Sequence, residues 1–508
     1  MESLSGLLYG FSVLITPLNL LGCFIGVFLG TLVGVLPGLG PAASIAILLP
    51  VTFKMPAVTS IIMLAGIYYG AMYGGSTTSI LLNIPGEAAS VITCLDGYQM
   101  ARHGRAGPAL GISAFASFIA GTLGVAALML VSPAIVSVAL LFGSPEFVGL
   151  LLMGLTMVAF LSRKDRFQAL LMAIVGLILG TVGTDPVFGI QRFSFGITTL
   201  YNGVGLIPVV MGLFGIAEVL TNLETGVEQE VYHTQLKGLL PNLKDWKDST
   251  KPIIRGSVIG FFLGTLPGMG AMIPTFISYA VEKRCSRTPE RFGSGMIEGV
   301  AGPEAANNAA SEGGFVPLLT LGIPANVVMA MMLGALIIQG IAPGPTLLSE
   351  HPDVFWGLIA SMYLGNAMLL VLNLPLIAIW VWFLRVPYGI LSPLIILFCI
   401  IGAYSVEGNA GDVVVLMIFG SLGYLMRKVN LEATPLILGF ILGPMLEVNF
   451  RLSLLFSKGS FAIFFNRPIA LGFLIVAALL LSSALFSSWL GQMVRRVRKK
   501  QNLGLDNP

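Results

Sequence analysis

The sequence predicts an all-α polytopic integral membrane protein with about 10–12 transmembrane segments, an inverted repeat, re-entrant hairpins and broken helices. Three observations carry that expectation. First, 56% of the 508 residues are hydrophobic and only 10% are charged, against roughly a quarter charged in a soluble domain. A protein core cannot absorb so much apolar surface, so lipid is the solvent for most of the chain. Second, long runs contain no Lys, Arg, Asp or Glu, among them 106–145, 193–217 and 468–494; about 20 such residues span a bilayer. Third, helix-breaking motifs interrupt the apolar runs at matching places in the two halves.

The N-terminus, "MESLSGLLYG", has Glu2 and no basic segment, which predicts a retained helix rather than a cleaved signal peptide. The first apolar run stops at "GVLPGLGPAAS". Pro37 has no backbone donor, and Gly38 and Gly40 let the chain turn sharply, so "PAASIAILLP" can return as a half-helix. A re-entrant hairpin is expected, its bare tip buried or lining a water-filled cavity. A kink or a surface loop is the alternative. The next break, "YGGSTTSILLNIPGEAAS", sets Gly75, Ser76, Thr77, Thr78, Ser79 and Asn83 around two Gly/Pro interruptions. Hydroxyls and freed carbonyls suit a desolvated sodium ion, and a restarting helix offers its amides to an anion. The competing reading is that the hydroxyls bond back to their own helix and the glycines pack helices closely.

A polar stretch, Glu224 to Thr250, then divides the chain. The expected organisation is a first membrane half at 1–222, an extramembrane linker at 223–251, a second membrane half at 252–490 and a basic cytoplasmic tail at 491–508. The halves align. An offset of 230 carries Gly26, Gly30, Gly34, Pro37, Gly38 and Gly40 onto Gly256, Gly260, Gly264, Pro267, Gly268 and Gly270. An offset of 239 carries Gly74, Gly75, Ile84 and Pro85 onto Gly313, Gly314, Ile323 and Pro324. Two blocks in the same order, each centred on helix breakers, indicate an internal duplication. Lys and Arg mark cytoplasmic loops. In the first copy they follow the second breaker (Arg102, Arg105); in the second copy they follow the first (Lys283, Arg284, Arg287, Arg291). Corresponding loops therefore lie on opposite sides, and the repeat is inverted.

Inverted repeats with matched breaks describe secondary transporters, whose substrate sits between half-helices near the midplane. The expected anion site lies between the two tips and the two breaks. Pro37, Gly38, Gly40, Ser76, Thr77, Thr78 and Asn83 line it from one copy. Pro267, Gly268, Gly270, Asn307, Asn308, Pro324 and Asn326 line it from the other. The expected cation site uses Gly75, Ser76, Thr77, Glu312, Gly313 and Gly314. Glu87, Glu304 and Glu312 are ionisable residues in costly places, hence functional candidates, although each can equally lie at an interface. No Lys or Arg falls within the motifs, so dipoles, amides, hydroxyls and a co-bound cation must hold any anion.

Other chemistry is absent from the pattern. His103, His233 and His351 are isolated, with no HExxH, and no GxxxxGK[ST] stretch occurs, so neither a zinc protease nor a P-loop ATPase is indicated. Cys23, Cys94, Cys285 and Cys399 are scattered and read as bystanders. A net charge of +3 does not indicate nucleic acid. No cofactor is expected; the coupling ion is expected to be sodium, with a proton as the alternative. A non-transporting scaffold or intramembrane enzyme is the second functional class.

"GTLVGVLPGLGPAASIAILLP", "LAGIYYGAMYGGSTTSILLNIPGEAASVIT", "DGYQMARHGRAGPALGI", "GTLPGMGAMIP" and "EGVAGPEAANNAASEGGFVPLLTLGIP" resemble the large membrane subunit of the tripartite tricarboxylate transporters, the TctA family. The likeness runs from about Leu7 to the basic tail. It implies a bacterial inner-membrane, cation-coupled carrier acting with a small membrane subunit and a periplasmic solute-binding protein that captures a carboxylate such as citrate. One departure stands out. After "LTLGIP" the family pattern usually continues Gly-Ser, whereas this chain has Ala325-Asn326-Val327. A glycine and a hydroxyl are replaced at an expected site, which weighs against a simple carry-over of tricarboxylate specificity.

Overall fold

The computed structural model describes residues 2–36, 40–162, 165–185, 188–225, 238–383 and 388–483. The tip residues Pro37 and Gly38, most of the polar linker and the basic tail lie outside them. The described chain is almost wholly helical, with eight helices long and apolar enough to cross a membrane and six shorter apolar helices of 10–17 residues. The ten to twelve expected spans draw on both sets, because the breaks divide apolar sequence into half-length pieces. Two compact units form, one from residues up to Leu140 with Gly205–Leu425, the other from Leu141–Val204 with the chain after Met426.

The first unit contains both sets of breaker motifs. Helix α1 (Pro17–Val35) leads to the first tip, and α2 (Pro41–Thr52) returns from it. Helix α3 (Ala57–Leu82) ends at Asn83, which adopts the left-handed conformation at φ 57°. Ile84 and Pro85 carry the chain across the break to Glu87, whose carboxylate caps a short helical turn, Ala88–Ser90. The long helix α4 (Ala106–Ala139) follows. In the second copy α5 (Leu243–Gly264) leads to the tip and α6 (Met272–Cys285) leaves it. Residues 243–251, counted with the polar linker above, are the first turns of α5, which opens on a reciprocal cap between Asn242 and Asp245. Helices α7 (Glu298–Gly313) and α8 (Phe315–Leu321) end at Gly322, left-handed at φ 69°. After the break, Asn326 caps α9 (Val327–Ile338) through Met329 N. The offset of 239 thus carries left-handed Asn83 onto left-handed Gly322, and one N-cap, Glu87, onto the other, Asn326.

The duplication extends to packing. A methyl added at Gly26 or Gly34 would collide with the carbonyl oxygens of Met63 and Ala71 on α3. One added at Gly256 or Gly264 would collide with those of Gly302 and Ala310 on α7. The contacted positions are again related by 239. In lipid, helix association rests on such close backbone approach, since apolar side chains gain little by leaving lipid tails.

The copies are antiparallel. Moving along α3 from Tyr68 to Ser76 moves backwards along the second copy, from Asn326 and Phe315 to Glu304. One end of the unit gathers the basic loops. Asp96, fully buried, accepts hydrogen bonds from the backbone N–H groups of Gly293, Gly295 and Met296 and from the Tyr279 hydroxyl at 2.8–3.0 Å. Arg105 pairs with Asp245 at 2.5 Å. At the corresponding place in the other copy, Gln339 donates to the carbonyls of Thr52 and Met55 and to Ser60 Oγ.

The second unit packs α10 (Ser144–Leu161), α11 (Arg166–Leu179) and α12 (Ala433–Phe456). Gly176 and Gly439 face each other's helix so closely that a methyl at either meets the partner's carbonyl. Arg192 and Arg451 bridge to Asp185 and Glu447 beside a small antiparallel hairpin, Gly183–Thr184 with Gln191–Arg192.

Candidate functional site

The expected site residues fall into three groups. The first is built around Glu304 on α7, fully buried. Ser76 Oγ donates to its Oε2 at 2.6 Å, Ser113 Oγ at 3.1 Å and Ser117 Oγ at 3.4 Å; Thr93 donates to Oε1. Asn308 steadies the cage, giving its amide hydrogens to Ser117 Oγ (2.7 Å) and Glu304 O (3.2 Å). Hydrogen bonds to a charged acceptor are worth more than neutral ones, about 1.5–3 kcal/mol each. Four hydroxyls therefore offset much of the cost of burying this carboxylate.

The second group spans the two breaks. Asn307 Nδ2 donates to Glu87 Oε1 at 3.1 Å, and Asn326 Nδ2 donates to Tyr68 Oη at 3.2 Å. These are one interaction made twice, because the offset of 239 carries Glu87 onto Asn326 and Tyr68 onto Asn307. Each copy's post-break cap reaches the same helical position of the other copy, the reciprocity of a two-fold arrangement. The second tip joins this group, with Gly268 N donating to Ala325 O at 2.8 Å. Gly268 and Gly270 have φ of 85° and 56°, so the tip needs glycine for its left-handed backbone.

The third group is Glu312, buried on α7 about two turns beyond Glu304. Its Oε2 has no hydrogen-bond partner, nor has Asn307 Oδ1. Both atoms are acceptors, so each is open to a donor or a cation. Among the described residues no Lys or Arg pairs with Glu87, Glu304 or Glu312.

The remaining expected residues have local roles. Thr78 Oγ1 donates to Val35 O, tying α3 to the end of α1. Asn83 is exposed at its cap. Thr77 is buried within α3, and Pro324 within the second break. Gly75 abuts Glu87, Gly313 lies against the backbone of Phe261, and Gly314 approaches Met329. Gly40 caps α2 with open space beside it, and Pro267 is half-buried.

Sequence reasoning missed Thr93, Ser113 and Ser117, as well as Tyr68 and Asp96. Ser113 and Ser117, one turn apart on a helix with no charged residue, were the available signal. An acid within "VITCLDGYQM" was another.

This architecture accords with the family comparison. The sequence profile of the tripartite tricarboxylate transporter TctA family matches residues 20–438, most of the chain. The chain belongs to that family. Two relatives from Agrobacterium vitis are similar along different lengths. An uncharacterized 52.8 kDa protein in the TAR-I ttuC' 3' region is 49% identical over 488 residues, covering 96% of this chain and 97% of that protein. An uncharacterized protein in the TAR-II ttuC' 3' region is 52% identical over 211 residues, covering 42% of this chain and 87% of that protein. No solved structure matches the chain.

Proposed function

We propose that this multi-pass TctA-family protein is the transport subunit of a cation-coupled importer for an organic di- or tricarboxylate. Its partners are a small membrane subunit and a periplasmic solute-binding protein, and its place is a bacterial inner membrane. The observation that carries this reading is the reciprocal pair of bonds across the breaks, Glu87 with Asn307 and Asn326 with Tyr68. Facing broken helices form the element that alternating access rocks about in inverted-repeat transporters. The anion binds beside the tips and the restarting helices α2 and α9. The breaker motifs contain no Lys or Arg, so a co-bound cation, sodium or a proton, offsets its charge and each ligand strengthens the other's binding.

Uptake of radiolabelled citrate and malate into proteoliposomes, with both partners and an imposed sodium or pH gradient, tests the reading. Uptake that requires the partners and a cation gradient supports it. A chain that moves neither anion under any gradient, while binding lipid or a partner, favours the scaffold alternative. The basic end is cytoplasmic: maleimide added outside cells reaches Glu350→Cys and not His103→Cys in a cysteine-free background.

A further inference from the structure

We propose that the second unit holds a phospholipid, with one acyl chain in an apolar cavity beside α10, α11 and α12 and a primary-ammonium headgroup seated on Arg192 and Glu447. The inference goes beyond the transport reading and does not depend on it. It starts from helix lengths. Helix α11 has 14 residues and α12 has 24, so at about 1.5 Å per residue they are about 21 and 36 Å long. The hydrocarbon core is about 30 Å thick. Arg166 opens α11, and Arg427 and Lys428 precede α12, which puts both starts on the cytoplasmic side. Helix α11 therefore ends within the outer leaflet, while α12 continues past it.

Beside the end of α11 lies a cavity of about 540 Å³, a size that suits a small ligand. Its walls come from Leu177 of α11, Leu152 of α10, Leu446 of α12 and Leu474 of the returning helix α13 (Pro468–Ser483). Phe450 and Phe464 also line it, stacked with centroids 5.8 Å apart and rings 6° from parallel. Among the described residues twelve line the cavity, and only Thr181 and Glu447 of them are polar. Apolar cavities stay dry and take apolar guests. Hydrocarbon is the guest that this depth supplies.

Two features favour an acyl chain over a transmembrane helix. Helices dock in lipid on small residues that let backbones approach closely. Among the twelve, the small one is Gly443, and it already faces α11: a methyl there would stand 3.3 Å from Leu177 Cα and O. The charged rim is the second feature. Glu447 pairs with Arg192 at 2.7 Å and with Arg451 at 2.5 Å, and Arg451 pairs with Asp185 at 2.9 Å. Two cations thus meet two acids, so the four side chains together are neutral. Both ion pairs of Glu447 use Oε1, and those of Arg192 use Nη1. Glu447 Oε2 is left to accept and Arg192 Nη2 to donate, on side chains 21% and 24% exposed. The matching headgroup carries a phosphate for Arg192 and a primary ammonium for Glu447. A headgroup with an anion alone would meet Glu447 unpaired, and a quaternary ammonium has no proton to give.

Mass spectrometry of the full chain tests this. The protein is reconstituted in equal parts of phosphatidylethanolamine, phosphatidylglycerol and phosphatidylcholine, then released into mild detergent, and the retained lipid is identified. Phosphatidylethanolamine should remain bound, preferred over phosphatidylcholine by about tenfold, the worth of one charge-assisted hydrogen bond. Leu474→Trp fills the cavity and should lose the lipid while eluting as the wild type does. If that variant does not fold, Leu152→Phe fills the cavity from α10 and should weaken retention. Glu447→Gln should keep a lipid and lose the preference for ethanolamine over choline.

Equal retention of all three lipids by the wild type overturns the proposal, as does retention of none. Unchanged retention in a folded filling variant overturns it too. A second copy, or a co-expressed small membrane subunit, that stays with the wild type and is lost from Leu474→Trp would show that a helix fills the cavity, and would overturn the lipid assignment.

Discussion

Glu304 and Glu312 stand on the same face-changing stretch of α7, are equally hidden, and differ in everything that touches them. Glu304 receives hydroxyls from Ser76, Thr93, Ser113 and Ser117. Glu312 lies against Gly124, and its Oε2 receives nothing. Burial alone therefore does not tell what an acid in a membrane protein is for. The donors around it do. A fully bonded carboxylate ties α7 to α3, to α4 and to the short turn that carries Thr93; an oxygen left without a donor ties α7 to nothing.

The largest contrast should come from deleting each side chain. Glu304→Leu leaves four buried hydroxyls without their acceptor, each costing about 1–3 kcal/mol if it finds no other. We expect loss of monodisperse protein on size-exclusion chromatography. Glu312→Leu removes a group that supports nothing else, so the protein should be recovered in near wild-type yield. Equal loss of yield in both variants would erase the distinction.

A smaller effect should separate the two sites through α4. Gly124→Ala places a methyl against Glu312 Cβ, and modest overpacking of this kind costs about 1–3 kcal/mol. It should lower the detergent melting temperature. Ser117→Ala removes the longest of the cage bonds, at 3.4 Å, and a partner of Asn308. That change should cost about 1 kcal/mol, read as a smaller fall in the same melting temperature. A double variant whose cost departs from the sum of the two would show that the cage and the Gly124 contact act as one network.

Which of these features could be read from the chain follows from their physical range. The breaks were legible because Pro-Gly-x-Gly and Ile-Pro act on the backbone within a few residues. The inversion was legible because loop charge reports sidedness locally. The cage was not, since Ser113 and Ser117 acquire meaning only when α4 packs on α7, nearly two hundred residues away. Within the hydroxyl-rich run, spacing alone did not show that Ser76 faces an acid while Thr78 bonds Val35 O. Asn83, expected beside substrate, also supplies a left-handed helix end. Its counterpart Gly322 adopts the same backbone, so the turn itself explains the residue.

The smallest effect to be read is the coupling between the reciprocal bonds, where the two copies themselves are compared. Tyr68→Phe removes the acceptor for Asn326 and leaves the ring in place. The lost bond is neutral, and its net worth is about 0.5–1.5 kcal/mol. Glu87→Gln keeps the shape of the mate interaction but replaces a charged acceptor for Asn307 and for Ala89 N, so its cost should be larger, about 1.5–3 kcal/mol. Thermal melts of the two single variants and the double variant decide whether the bonds are independent. If the copies only pack side by side, the two costs add. If they rock as one two-fold element, loss of either bond loosens the other and the double variant costs less than the sum. Simple additivity within about 0.3 kcal/mol would leave the two-fold likeness in place and remove its mechanical meaning.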